Sequence, residues 1–204
     1  MTLCDHDIPA DVDFGDAVAV DGEAMGLRIA RDRLCLLQLA DAQGNCFLVR
    51  LTKTDKTSSP PAPNLKKLLE NPSVLKIFHF ARFDVAALYH HMNILCQPIY
   101  CTRTASKFAR TYTDRHGLSV LCREFFGFDI SKQQQSSDWG NTSLSKDQIR
   151  YAYRDVLYLH RLMERLNAML EREGRMRYAQ ACFDFLPQRA LIDLGGWEED
   201  IFAH

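Results

Sequence analysis

The sequence predicts an α/β fold in which a mixed central sheet is flanked by helices. Three apolar runs joined by short turns come early, a further apolar run then alternates with helical patterns, and the second half is mostly helical in its periodicity. With 204 residues, 47% hydrophobic and 25% charged, the chain is long enough for one well-packed domain and short for two, so a single domain over 1–204 is expected.

The elements follow in order. "AVAVDGEAMGL", residues 17 to 27, reads as a buried strand that ends in two acids, Asp21 and Glu23. "RLCLLQLAD" and "NCFLVRL", joined by the turn-forming "AQGN", complete a meander of three adjacent strands. "TKTDKTSSPPAPN" is a Pro- and Ser-rich loop, and Asn64 is placed to N-cap the short helix "LKKLLE". "NPSVLKIFHF" turns into a fourth, buried strand, after which "RFDVAALYHHM", "TASKFARTY" and "LSVLCREFFG" are helical. One long helix is expected from about Ser145 to Glu173, opened by Ser145 and Gln148 in capping-box spacing, with a buried stripe at 149, 152, 156, 159, 163 and 166. A helical tail is expected over about 175–204.

A formal charge of −1 argues against broad, non-specific binding to a polyanion, so any nucleic-acid contact has to be local. The seven cysteines, at 4, 35, 46, 96, 101, 122 and 182, form no Cys-x-x-Cys pair and no zinc-type cluster. Without a signal-peptide core or a membrane-length apolar run, a reduced cytoplasmic thiol population is expected. Cys35 and Cys46 lie in strand-like runs as small core residues.

The chemistry sits in the acids. Residues two apart on a strand share a face, so the Asp21 and Glu23 carboxylates converge. Anions held that close repel unless a proton or a cation lies between them, which leaves either a metal site or a strongly perturbed acid pair. Tyr151 and Asp155, four apart on the long helix, stack one turn from each other and can point together into a cleft, although a Y-x-x-x-D spacing also suits a solvated helix face. Asp84 follows the fourth strand and opens a helix, a place the helix dipole favours for any acid. His79 and His91 share no helical face with it, which disfavours a histidine-ligated zinc and leaves an oxygen-only site.

Asp21 and Glu23, Asp84 after "HFARF", and Tyr151 with Asp155 in "YAYRD" resemble, in type, order and spacing, the three motifs of the DEDDy 3′-to-5′ exonucleases. "SDWGNTSLSKDQIRYAYRDVLYLHRL" is similar to the third-motif region of the ribonuclease D family, including Trp139 ahead of the helix. Within that family "RDRLCLLQLAD", "ASKFARTYTDRHGL", "ISKQQQSSDW" and "FLPQRALIDLGGWEEDIFAH" resemble the compact nanoRNase C subgroup, which cleaves very short RNAs, especially dinucleotides. The resemblance implies a ribonuclease H-like exonuclease fold with a catalytic core over about 17–166. With 49 residues after Asp155, the helical RNA-gripping domains of larger ribonuclease D proteins are expected to be missing.

It further implies two Mg²⁺ or Mn²⁺ ions about 4 Å apart. Asp21 would bridge them, Glu23 and Asp155 would hold the ion that activates water, Asp84 would support the other, and Tyr151 would orient the water. Leu27 occupies the place of a leucine that wedges between two bases, and it equally suits a core residue closing a strand turn. Gly26, His79 and Phe83 flank the motifs as further substrate contacts. Tyr112, Arg115, His116, Lys132, Gln135 and Ser137, in two polar segments, are candidate donors to a terminal 5′ phosphate. The partners implied are short RNA, dinucleotides above all, with DNA ends a further possibility, and copies of the same chain in a dimer-based homo-oligomer up to an octamer; no membrane is expected. The subgroup carries threonine where this chain has Gly22, and a hydroxyl-free Ala24 follows Glu23. Both positions are expected to face away from the metal cleft.

Overall fold

The protein is represented by a computed structural model that describes residues 1–51, 62–131, 133–197, 199 and 201–202. Lys132 and most of the Pro- and Ser-rich segment therefore lie outside the described residues. The strands β1 (Thr2–Asp5), β2 (Ala17–Ala24), β3 (Leu34–Ala40), β4 (Cys46–Arg50), β5 (Leu75–Phe78) and β6 (Ile99–Cys101) form one sheet in the order β1-β4-β3-β2-β5-β6. The antiparallel meander β2-β3-β4 is present as expected, and β5 pairs parallel with β2. All seven residues of β3 are buried, which marks it as the centre of the sheet. Asp41 makes the β3–β4 turn by accepting the backbone N–H groups of Gln43 and Asn45.

Two edge strands were not legible in sequence. β1 pairs parallel with β4, and β6 pairs parallel with β5. At four and three residues they are too short to show a period, and pairing alone defines them.

The helices are α1 (Pro63–Leu69), α2 (Ala81–Met92), α3 (Thr102–Ala109), α4 (Leu118–Phe126), α5 (Lys146–Leu157), α6 (Leu159–Arg172) and α7 (Met176–Leu194). α5 packs on β2, β3 and β4, while α2 packs against α7. The capping box of Ser145 and Gln148 forms as expected. The single long helix does not: it breaks at Tyr158 (φ −104°, ψ −2°). No Pro or Gly marks the break. Tertiary contacts set it, since the Tyr158 ring packs 4.5 Å from that of Phe128, and His160 Nε2 lies 3.1 Å from the Ala40 carbonyl oxygen. The C-terminal helix likewise stops at Leu194, where Gly195 and then Gly196, at φ +95°, end it short of the expected tail.

Asn64 is not the cap of α1 but lies within it, its side-chain N–H donating to the Ile8 carbonyl (2.8 Å). The cap comes from Asp7, whose carboxylate accepts the backbone N–H groups of Asn64 (2.9 Å) and Leu65 (2.8 Å). A cap supplied from 57 residues away leaves no local signature. Asp7→Ala should lower the free energy of unfolding by about 1–2 kcal/mol, the usual cost of a lost cap. A urea titration with an unchanged midpoint would show the contact to be idle.

The seven cysteines are all free thiols, and Cys35 and Cys46 are buried as expected. Among the described residues no helix is long and apolar enough to cross a membrane.

Candidate active site

β2 delivers the first two acids. Asp21 pairs with Gln38 and Glu23 with Leu36, both across to β3, so the two carboxylates leave the same face. The register shifts between Glu23 and Ala24, where the pairing passes from Leu36 to Leu34 and skips Cys35, so an irregularity of the ladder sits directly after the second acid. α5 crosses this face and adds Asp155. Asp21, Glu23 and Asp155 each offer an oxygen, all within 4.8 Å of one another. Tyr151 stands one turn before Asp155 on α5, close enough that the two groups shift each other's proton affinity. Its ring lies 6.0 Å from that of the buried Trp139. Gln148 ties the start of α5 to the same segment, donating from Nε2 to Ser137 Oγ (3.0 Å) and the Asp138 carbonyl (3.1 Å).

Asp84 comes from the first turn of α2, directly after β5, the parallel neighbour of β2. The nearby Gly22 backbone N–H offsets part of the rise in the pKa of Asp84 and of Asp21. A Cβ at Gly22 would stand 3.0 Å from Asp84 Oδ1 and 3.0 Å from Leu34 Cδ1. Position 22 thus lies on the opposite parity from Asp21 and Glu23, as expected, and what it meets there is Asp84. The fourth acid meets the strand at this residue, and the missing side chain permits the approach.

Burial, joined by mutual repulsion at Glu23, Asp84 and Asp155, pushes all four carboxyls above their ordinary values. Burial raises Asp21 to about 7. Glu23 rises to about 10, through burial first and then the charges of Asp21, Asp155 and Asp84. Asp84 and Asp155 are also pushed up, by burial and by Asp21. Burial, followed by the neighbouring carboxylates, pushes the Tyr151 phenol up as well.

Such raised acids stabilise the metal-free fold fully below their unfolded values of about 4, and that contribution is lost as pH rises through about 7 and toward about 10. The melting temperature of metal-free protein should therefore fall between pH 5 and 9. Mg²⁺ displaces the protons, so the gap between loaded and metal-free protein should widen with pH. A gap that narrows would contradict cation binding at these acids.

The donor set fits a hard cation. It is all oxygen, anionic and convergent, which suits Mg²⁺ or Mn²⁺ better than zinc. His79 is not part of it. Its Nδ1 lies 2.9 Å from Thr102 Oγ1, and burial followed by the charge of Arg103 lowers its pKa to about 3, leaving a neutral ring.

Beyond the bulge the chain forms a short loop. Leu27 is 86% exposed, so it is not a core residue closing the turn. A Cβ at Gly26 would lie 2.4 Å from Asp32 Oδ2, the oxygen that accepts the Arg28 backbone N–H, so any larger residue there would displace Asp32 from that bond.

The expected phosphate donors are not joined to the acids by any contact among the described residues. Tyr112 gives its hydroxyl to Glu124 Oε1 (2.6 Å), and His116 Nδ1 pairs with Ser106 Oγ (2.9 Å). Both surround the buried Arg110, which donates to Glu124, Ser106 and the Arg115 carbonyl. Arg115 and Gln135 are exposed, Phe83 is half-buried in the first turn of α2, and Ser137 Oγ is occupied by Gln148. Sequence reasoning missed Phe80, an exposed aromatic in the left-handed region (φ 72°) between β5 and α2, with the Arg103 guanidinium 4.6 Å from its ring centroid. No glycine announces that turn.

A family model described as 3′-5′ exonuclease matches residues 7–171. Ribonuclease D of Granulibacter bethesdensis is 33% identical over 161 residues, which cover 79% of this chain and 39% of that protein; the chain thus spans about two fifths of this relative's length. Among solved structures, Brucella melitensis NrnC with bound Mg²⁺ is 48% identical with a TM-score of 0.91, covering 100% of both chains. The same protein bound to pGG is 50% identical with a TM-score of 0.92, covering 100% of this chain and 99% of that one.

Proposed function

Because the chain belongs to the ribonuclease D family of 3′-to-5′ exonucleases, we propose that it is a metal-dependent exoribonuclease acting on very short RNAs. The substrates inferred are 5′-phosphorylated diribonucleotides, released as nucleoside 5′-monophosphates. The observation that carries the chemistry is the convergence of Asp21, Glu23 and Asp155 within 4.8 Å. The substrate class is supported by the end-to-end similarity to NrnC, one structure of which holds pGG.

In this reading Asp21, Glu23 and Asp155 would hold one cation, Mg²⁺ or Mn²⁺, and Asp21 with Asp84 would hold a second. Bound there, the ions supply a water deprotonated near neutral pH and charge neutralisation at the phosphate and the leaving oxygen. The chain's own residues do the rest. Tyr151, one turn from Asp155 on α5, orients the attacking water. A phenol pushed above its ordinary value of about 10 keeps its proton at neutral pH, so it acts as a donor and not as a base. Leu27, projecting into solvent beside the acids' strand, is available to wedge between two bases. Tyr112, Arg115, His116, Lys132, Gln135 and Ser137 are the inferred cap on the 5′ phosphate, with Gly26, His79 and Phe83 nearer the acids. Since the Tyr112 hydroxyl already donates to Glu124 within the chain, the cap would draw further donors from a homo-oligomer.

Dissociation constants measured with Ca²⁺ for RNAs of two, three, five and seven residues test the substrate. Affinity should fall as the 5′ end is lengthened, and removing the 5′ phosphate from a dinucleotide should cost about 1.5–3 kcal/mol. Affinity that grows with length would replace this reading with a general 3′-5′ exonuclease on RNA or DNA. Tight RNA binding without mononucleotide release in Mn²⁺ would instead indicate a non-catalytic nucleotide-binding protein.

A further inference from the structure

Gln38 stands in the middle of β3, whose other six residues are apolar, and is fully buried. Neither its Oε1 nor its Nε2 has a hydrogen-bond partner. A buried carboxamide left in that state destabilises the fold, and an apolar side chain of the same length would fill the site without the penalty. Its position suggests what it is kept for. Gln38 lies directly across the antiparallel β2–β3 pair from Asp21, on the same face of the sheet. Opposite residues in such a pair have Cβ atoms about 4.5–5.5 Å apart, within reach of a glutamine side chain. α5, which brings in Asp155 and Tyr151, covers this face of β2, β3 and β4 and keeps water from serving the amide freely.

We propose that Gln38 is a positioning residue for the metal centre: when cations are bound, its Nε2–H donates to the Asp21 carboxylate and fixes the direction of that ligand's oxygens. The proposal rests on the reading of Asp21 as a metal ligand. It deepens that reading by assigning a role to a residue outside the acid motifs. Asp21 otherwise has the Gly22 backbone N–H beside it, and Asp155 has the Tyr151 phenol one turn away. A donor from β3 would hold Asp21 from the opposite strand, so that both neighbours of the ligand constrain it. Polar groups of this kind around metal ligands typically change metal affinity or activity by about 10–100-fold.

The test is Gln38→Met, which keeps length and removes the amide. Metal-free Gln38→Met should melt higher than the parent, because an unpartnered buried amide is gone. Its melting-temperature rise on adding Ca²⁺ should nevertheless shrink, the Mg²⁺ concentration for half-maximal turnover should increase by about tenfold, and KM for a dinucleotide at saturating Mg²⁺ should stay within about twofold. A residue that merely packs would give the higher melting point with an unchanged ion response, and that result overturns the proposal. Independently of any variant, a crystal structure of the parent with Ca²⁺ should place Gln38 Nε2 within about 3.2 Å of an Asp21 oxygen. An amide still without that contact in the loaded site would also overturn it. A parent that shows no ion response at all defeats instead the underlying reading of the acids, which keeps the two failures apart.

Discussion

Asp21→Asn is expected to reduce hydrolysis of a 5′-phosphorylated dinucleotide by at least about 10³-fold, a loss of about 4 kcal/mol in transition-state stabilisation, while the fold persists. Asp21 is the residue whose charge appears among the causes raising Glu23, Asp84 and Asp155 alike, which identifies it as the electrostatic centre of the cluster. Neutralising it removes a ligand and also relieves repulsion. Metal-free Asp21→Asn should therefore be at least as stable as the parent, and the stabilisation by divalent ions should largely disappear. The combination is diagnostic, because a variant that is inactive through misfolding would be less stable without metal. Substantial residual turnover in a folded Asp21→Asn would remove Asp21 from its bridging role. Asp155→Asn should match it in lost activity, since an asparagine carries no charge for a cation.

Tyr151→Phe should lower turnover by about 10²-fold, or roughly 3 kcal/mol, while leaving the ion-dependent rise in melting temperature intact. The phenol is assigned to the water and not to the ions. It stands one turn before Asp155 on α5, and its ring remains against Trp139 when the hydroxyl is removed. Loss of turnover together with loss of the ion response would mean that the hydroxyl holds Asp155 in place instead of positioning water. Unchanged turnover would take Tyr151 out of the mechanism. Because the tyrosine is shifted upward, the alkaline rise of the parent's pH–rate profile should come from the acids losing their protons to solvent as the ions bind, and Tyr151→Phe should retain it.

Much of this was determined by local sequence. Alternation on β2 places Asp21 and Glu23 on one face, a spacing of four stacks Tyr151 on Asp155, and the Ser145–Gln148 capping box starts α5, because each depends on the geometry of a single element. The meander β2-β3-β4 is legible for the same reason, its turn being written in Asp41 to Asn45. What tertiary structure decided involves partners distant in the chain. Asp7 caps α1 across 57 residues, β1 and β6 exist only through their neighbours, and contacts with Phe128 and Ala40 accompany the break at Tyr158 in a helix that periodicity alone continues. Position 22 illustrates the difference most directly. Strand parity turns it away from Asp21 and Glu23, but parity does not say what lies on the other side, and only the path of α2 from β5 brings Asp84 against that glycine. Gln38 belongs with it: one polar letter in an apolar strand shows that something is needed there, and only the register across to Asp21 says where the need arises.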